Sequence, residues 1–266
     1  TEESNPAIIT NDNNPFKQGF KSTTGNVGFV NETRELYTVN LRGTNKLNFD
    51  WWTNNANGDC IEFIFSSPKT ITNQTLVESS GSGGETMWDI SLITSASNST
   101  KGKLQFRLNN SLTGSLPIAS NAVSMSSPFL DFQNGNIYNV LLQRTVVTGS
   151  SPYNAFTQSY ELFVARKDDD KIKDVSSTTL STEISGANYN FVNQAASKTS
   201  ENLFVGETLS GSLAELRVLN TKLDISKFKQ HTLNYRSTVS NTITGSVDDI
   251  IFRYPFDENI VNWSTT

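Results

Sequence analysis

Short apolar runs that alternate with polar residues constrain this chain more than any other feature. About a dozen of them follow one another, each stopped by Gly, Pro, Asn or Ser, with no regular exchange of strand for helix. Residues 36–41, 46–52, 60–65, 75–78, 88–94 and 103–108 read as strands. Residues 136–147 form a nearly continuous apolar strand, and 159–165 its partner, with Tyr160, Leu162 and Val164 on one face. A charged turn at 167–171 leads into 172–175, and 203–205, 213–219 and 249–256 complete the set. Gly206 and Gly211 bound a turn whose backbone geometry asks for glycine. In 213–219 the alternation puts Leu213, Glu215 and Arg217 on one side, with Leu216 and Val218 roughly on the other. Only 224–231 has helical spacing, through Ile225 and Phe228, with Asp224 as its N-cap. Residues 1–20, 109–128 and 176–200 are polar and read as an arm and loops. The pattern predicts an all-β fold, an antiparallel β-sandwich with one short helix.

A sandwich needs large apolar side chains, and 16 Phe and 4 Trp supply them. The net charge of −5 argues against nucleic acid, which requires clustered Lys and Arg. Cys60 stands alone, so no disulfide closes within the chain and no Cys-rich zinc site can be built. Its place at the head of an apolar run suits a small buried hydrophobe. No run approaches the roughly 18 apolar residues of a membrane-spanning helix. The start at Thr1-Glu2-Glu3-Ser4, without Met, sets the expectation of a processed protein or of a segment of a longer one. Asn31, Asn73, Asn98, Asn109 and Asn262 open Asn-X-Ser/Thr triplets, but this composition yields on the order of seven such matches by chance.

The segment 159–231 carries a family pattern. Ser159-Tyr-Glu-Leu-Phe-Val-Ala165 is followed by Leu203-Phe-Val-Gly206, then Gly211-Ser-Leu-Ala-Glu-Leu-Arg-Val-Leu-Asn220, then a closing Thr221-Lys-Leu-Asp-Ile-Ser-Lys-Phe228 helix. This resembles the laminin-G-like, or concanavalin A-like, jelly-roll superfamily. Residues 46–49, 61–65 and 137–144 look like further strands of that family, so the resemblance covers roughly 36–235. Two departures stand at structural positions. Ala165-Arg166 replaces the family's usual Asn-Gly, and Ile137-Tyr138 its usual Trp-His. Residues 250–259 resemble the opening segment of such modules, and the chain also resembles laminin-G-like modules of tailed-bacteriophage structural proteins. The resulting division is a polar N-terminal arm or linker at 1–30, a laminin-G-like sandwich at 31–235, and a closing strand or the start of a following module at 236–266.

Candidate chemistry is sparse. Jelly-roll glycoside hydrolases use carboxylates that alternate along one strand facing a cleft, and no such run exists here. The nearest grouping is Glu85 and Asp89, whose even spacing would share a strand face. His231, the only histidine, ends the helix, where the macrodipole favours it, with no nucleophile motif beside it. Asp168, Asp169 and Asp170 could offer oxygens to calcium, as could Asp248, Asp249 and Asp257. Adjacent acids on a hairpin tip diverge, and Lys167 and Lys171 flank the first group, so a solvated turn is favoured over calcium. Sugar binding has better ingredients in Trp51 and Trp52 beside Asn54 and Asn57. Adjacent strand residues face opposite sides, so one Trp of the pair is left for a ligand or a neighbouring chain. The competing reading packs the two rings into different layers.

The resulting expectations are as follows. The chain is a non-enzymatic structural or interaction module of a virion protein, from a phage tail or baseplate, with no catalytic residues, metal or cofactor. Its partners are other virion subunits in an oligomeric assembly, without nucleic acid or membrane insertion. The alternative is a glycan-binding adhesin module that recognises host-surface carbohydrate, at a cell surface or secreted, using Trp51, Trp52, Asn54 and Asn57.

Overall fold

In the computed structural model, the described residues are 20–25, 35–36, 59–68, 72–80, 86–108, 123–148, 156–184, 202–206, 208–245 and 249–254. They form two antiparallel sheets and one α-helix. The strands are β1 (Phe20–Gly25), β2 (Glu35–Leu36), β3 (Asp59–Ser66), β4 (Gln74–Ser80), β5 (Thr86–Thr94), β6 (Gly102–Leu108) and β7 (Val123–Ser126). After a 3₁₀ turn at Phe132–Asn134 come β8 (Ile137–Thr148), β9 (Phe156–Asp168), β10 (Lys171–Ile184), β11 (Asn202–Val205) and β12 (Leu209–Leu219). Helix α1 (Ile225–Leu233) and β13 (Ile250–Tyr254) complete the set.

A seven-stranded sheet runs β1-β12-β3-β8-β9-β10, with β13 also on β12, and a six-stranded sheet runs β2-β11-β4-β5-β6-β7. The alternation decides what lies between them. Trp88, Ile90 and Leu92 of β5 and Leu104, Phe106 and Leu108 of β6 meet Phe63, Val140, Leu142, Tyr160 and Leu162 from the other sheet. Phe106 sits 5.0 Å from Tyr160, centroid to centroid, so aromatic contacts bridge the layers.

Strands β3 and β8 are buried on both faces. Their second faces, with Cys60 and Leu141, join Leu219, Leu223 and Phe228 beneath α1. Cys60 is accordingly buried and outside any disulfide. Asp224 stands at the N-cap position with extended backbone, but its side chain makes no cap bond. Its carbonyl accepts from the Lys227 and Phe228 amides.

Several stretches differ from the sequence reading. Residues 20–25, within the polar arm, form a strand that pairs with β12, and β13 pairs with the same strand. Strand β7 lies in a stretch read as loop, and β10 extends to Ile184 through Ser- and Thr-rich residues that show little apolar periodicity. Residues 46–52 lie outside the described residues. In β12 a bulge shifts the register between Ala214 and Arg217, and Glu215 takes a φ of 52°. Leu213 therefore faces the core together with Leu216 and Val218, while Glu215 and Arg217 turn to the opposite face. Gly206 takes a φ of 69° in the turn before β12, and a Cβ at Gly211 would collide with the Ser66 carbonyl.

Candidate functional site

The outer face of the six-stranded sheet carries a polar row. Register places Glu78 of β4 opposite Asp89 of β5, Asp89 opposite Arg107 of β6, and Arg107 opposite Ser124 of β7. One row along, Ser91 stands opposite Gln105. The flanking Trp88, Ile90, Phe106 and Leu108 point into the core, so these polar residues must point outward. Asp89 and Ser91 are buried even so, while Glu78, Gln105 and Arg107 are half-buried.

Arg107 grips Asp89 side-on. Its Nε donates to Oδ1 at 2.9 Å and its Nη2 to Oδ2, and the Ser91 hydroxyl donates to Oδ2 at 3.2 Å. Burial pushes the Asp89 carboxyl above its ordinary range, against the opposing pull of the Arg107 and Ser91 bonds. The pair locks the guanidinium plane relative to the sheet, as a bidentate fork does.

A second polar cluster lies between α1 and the seven-stranded sheet, and it is sealed. Glu62 accepts from Asn139 Nδ2 at 2.8 Å, from Arg217 Nη1 at 3.1 Å, and pairs with His231 Nδ1 at 2.7 Å. Arg217 reaches on to Glu215 at 2.8 Å and to the Tyr235 carbonyl, and Arg253 holds Glu215 by two bonds. Glu62, Arg217 and His231 are almost entirely excluded from solvent. Burial alone would raise the Glu62 carboxyl. The charges of His231 and Arg217, with bonds from His231 and Asn139, outweigh it and hold the group at about 2. The other ring nitrogen of His231 meets the Val239 carbonyl at 2.8 Å. Both partners of the ring accept, so an imidazolium satisfies both. His231, 1% exposed, thus ties α1 to the sheet from within.

The structure leaves several proposed site residues untouched. Trp51, Trp52, Asn54 and Asn57 lie outside the described residues, as does Glu85, so neither the Trp–Asn constellation nor a Glu85–Asp89 pair is assembled among them. Asp168 instead pairs with Lys173 and Arg166 at the β9–β10 hairpin, and Asp170 lies 3.8 Å from Lys167. Among the described residues no group of three His, Cys, Asp or Glu side chains could hold a metal ion, and no helix is long and apolar enough to cross a membrane. Arg107 was passed over in the sequence. The signal was there, since Lys103, Gln105 and Arg107 alternate with Leu104, Phe106 and Leu108.

Two layers of antiparallel strands with, among the described residues, a single short helix make this an all-β sandwich of jelly-roll type. No family model matches the chain, and no curated protein does. Among solved structures it is similar to the enzymatically active domain of tailspike protein 2 from bacteriophage CBA120, at 13% identity and a TM-score of 0.46. That match covers 77% of this chain and 27% of the other, so the chain spans about a quarter of the tailspike domain. It is similar to the CBM2 module of an evolved Dit protein of Lactobacillus casei phage J-1, at 10% identity and a TM-score of 0.31, covering 60% of this chain and 59% of that one. An alginate lyase of Pseudomonas aeruginosa matches at 9% identity and a TM-score of 0.36, covering 65% of this chain and 68% of the lyase. Likeness at this level extends to the sandwich and no further.

The expectation of a non-enzymatic chain is corrected by the same comparisons, which include a domain described as enzymatically active and several alginate lyases. The physical reason is that the missing acid run excludes only one layout of carboxylates, whereas reacting groups can be gathered from several strands of a sheet.

Proposed function

We propose that the chain is a laminin-G-like module of a phage virion protein, and that it engages polysaccharide through the outer face of its six-stranded sheet. The observation that supports this is the locked Arg107–Asp89 pair. A guanidinium committed by Nε and Nη2 to Asp89 keeps its third nitrogen for a ligand, in a fixed plane, beside the amide of Gln105 and the carboxylate of Glu78. Such a set suits sugar hydroxyls and uronate carboxylates. The virion setting rests on the resemblance of the chain as a whole to laminin-G-like modules of tailed-bacteriophage structural proteins, and assembly with other virion subunits belongs to the same proposal. Trp51, Trp52, Asn54 and Asn57 remain a proposed second contact with the same ligand class.

An array of bacterial surface polysaccharides and of neutral and uronate oligosaccharides tests the reading. Wild-type protein is expected to bind, and Arg107→Lys, which keeps the charge but loses the fork, to bind about tenfold more weakly. Circular dichroism of the variant checks that the sheet persists. Chromatography of the ligand after incubation reports any cleavage. No bound saccharide, or equal binding by the variant, overturns the proposal. Trp51→Ala and Trp52→Ala on the same array decide the second contact.

A further inference from the structure

At the end of the sandwich where β5 turns into β6, a loop and the 3₁₀ turn before β8 enclose a cup of about 430 Å³, lined by residues 94–99 and Gln133. The volume is within the roughly 300–1,000 Å³ of small-molecule sites. The rim, Ala96 to Ser99, is exposed, Thr94 and Ser95 are half-buried, and Gln133 is fully buried. The loop is held in shape by its own bonds. Asn98 Oδ1 accepts from the Thr100 amide at 3.0 Å and its hydroxyl at 2.9 Å, and the Ser95 amide donates to the Lys101 carbonyl at 2.9 Å. The Gln133 backbone amide is tied to the Thr100 carbonyl at 3.0 Å, and Phe132 beside it is anchored in the core against Phe65 and Tyr138. The Gln133 side chain is different. Both its Oε1 and its Nε2 are buried without a hydrogen-bond partner.

A buried amide left unpaired costs free energy, and a folded protein keeps one only where something else satisfies it. We infer that the cup is a saccharide-binding subsite in which Gln133 is the anchoring group. An amide presents an acceptor and a donor side by side, which matches a vicinal diol: when the Gln133 side chain, held by no bond of its own, turns toward the cup, one hydroxyl donates to Oε1 while its neighbour accepts from Nε2. The surrounding wall is made of short Thr, Ser, Ala and Asn side chains, and no charged residue among the described ones lines it. The ligand class is therefore a neutral, hydroxyl-rich sugar unit. No aromatic ring among the described residues lines the cup either, so binding without stacking is weak, with a Kd on the order of millimolar. The site shares no residue with the Arg107 row. It shares only the saccharide class with that proposal, and each is tested by its own residues.

The experiment is a ¹H–¹⁵N NMR titration of the whole chain with methyl glucoside, methyl galactoside, N-acetylglucosamine and rhamnose, and with glucuronate as the charged comparison. The expected result is a saturable shift for at least one neutral sugar, confined to the Gln133 side-chain amide and the backbone amides of 94–99. Gln133→Met, close in shape but apolar, is expected to weaken that binding about tenfold. Ser97→Trp on the exposed rim blocks the cup without touching the core, and is expected to abolish the shifts even if the Met variant folds poorly. Arg107→Lys is expected to leave them unchanged, so the two proposals fail separately. Absence of saturable shifts with every neutral sugar overturns the inference, as does binding that survives Ser97→Trp.

Discussion

Glu62 is the residue on which the internal polar cluster depends. It gathers Asn139, Arg217 and His231 around one carboxylate with no access to water. Removing a buried charge partner costs more than the pair contributes net, because the remaining charges stay buried. Glu62→Gln is therefore expected to destabilise the fold by about 3 kcal/mol or more, measured by urea unfolding at neutral pH. The pH profile follows from the lowered carboxyl. A group depressed from 4.5 to about 2 contributes stability that is complete above the ordinary carboxylate range and is lost as pH falls toward the folded value. Wild-type stability is expected to fall from about pH 4.5 to about pH 2, and Glu62→Gln to lack that component. Equal slopes in the two proteins through this window would show that Glu62 is not the group responsible.

At the scale of elements, α1 is held to the seven-stranded sheet by one apolar contact and one polar one. Phe228 packs on Phe163 at 5.9 Å between centroids and joins Cys60, Leu141 and Leu219. His231, a turn later, enters the Glu62 cluster. Phe228→Ala is expected to cost about 3–5 kcal/mol, with faster amide hydrogen exchange across Ile225–Leu233 than in the wild type. A variant whose helix stays as protected as before would show that the polar cluster alone holds it. The bulge in β12 belongs to this scale too. By adding one residue near Glu215 it lets a single strand send Leu213, Leu216 and Val218 to the core and Glu215 and Arg217 to the covered outer face. Period-two counting through 213–219 misplaced Leu213 for that reason, since a bulge leaves no mark in the alternation until the partner strand is known.

Across the whole molecule, β12 is the common neighbour of β1, β3 and β13, so segments about 230 residues apart in sequence join one sheet. We propose that the described strands and helix between Phe20 and Tyr254 unfold as one cooperative unit. Urea transitions followed by Trp fluorescence and by far-ultraviolet circular dichroism are expected to coincide. A separate early transition, lost when residues 246–266 are deleted, would instead mark the C-terminal stretch as an independent module.

Strands and helix were legible in the sequence wherever burial is one-sided or complete, because core exclusion of polar side chains writes a period into the chain. That holds for β3, β5, β6, β8, β9 and α1, and it extends to the polar face of β6 that carries Arg107. Strands β1, β7 and the far half of β10 escaped, since edge strands are stabilised by backbone bonds to a neighbour that composition does not reveal. His231 was readable only as a helix end. That it faces Glu62, 169 positions away, and that Gln133 joins residues 94–99 around one cup, are facts of juxtaposition. Local sequence determined the strands that carry an apolar face and, outside the β12 bulge, which face that is. Only the tertiary structure decided which polar groups meet, because partners distant along the chain are chosen by sheet order and register, and neither is encoded within a single strand.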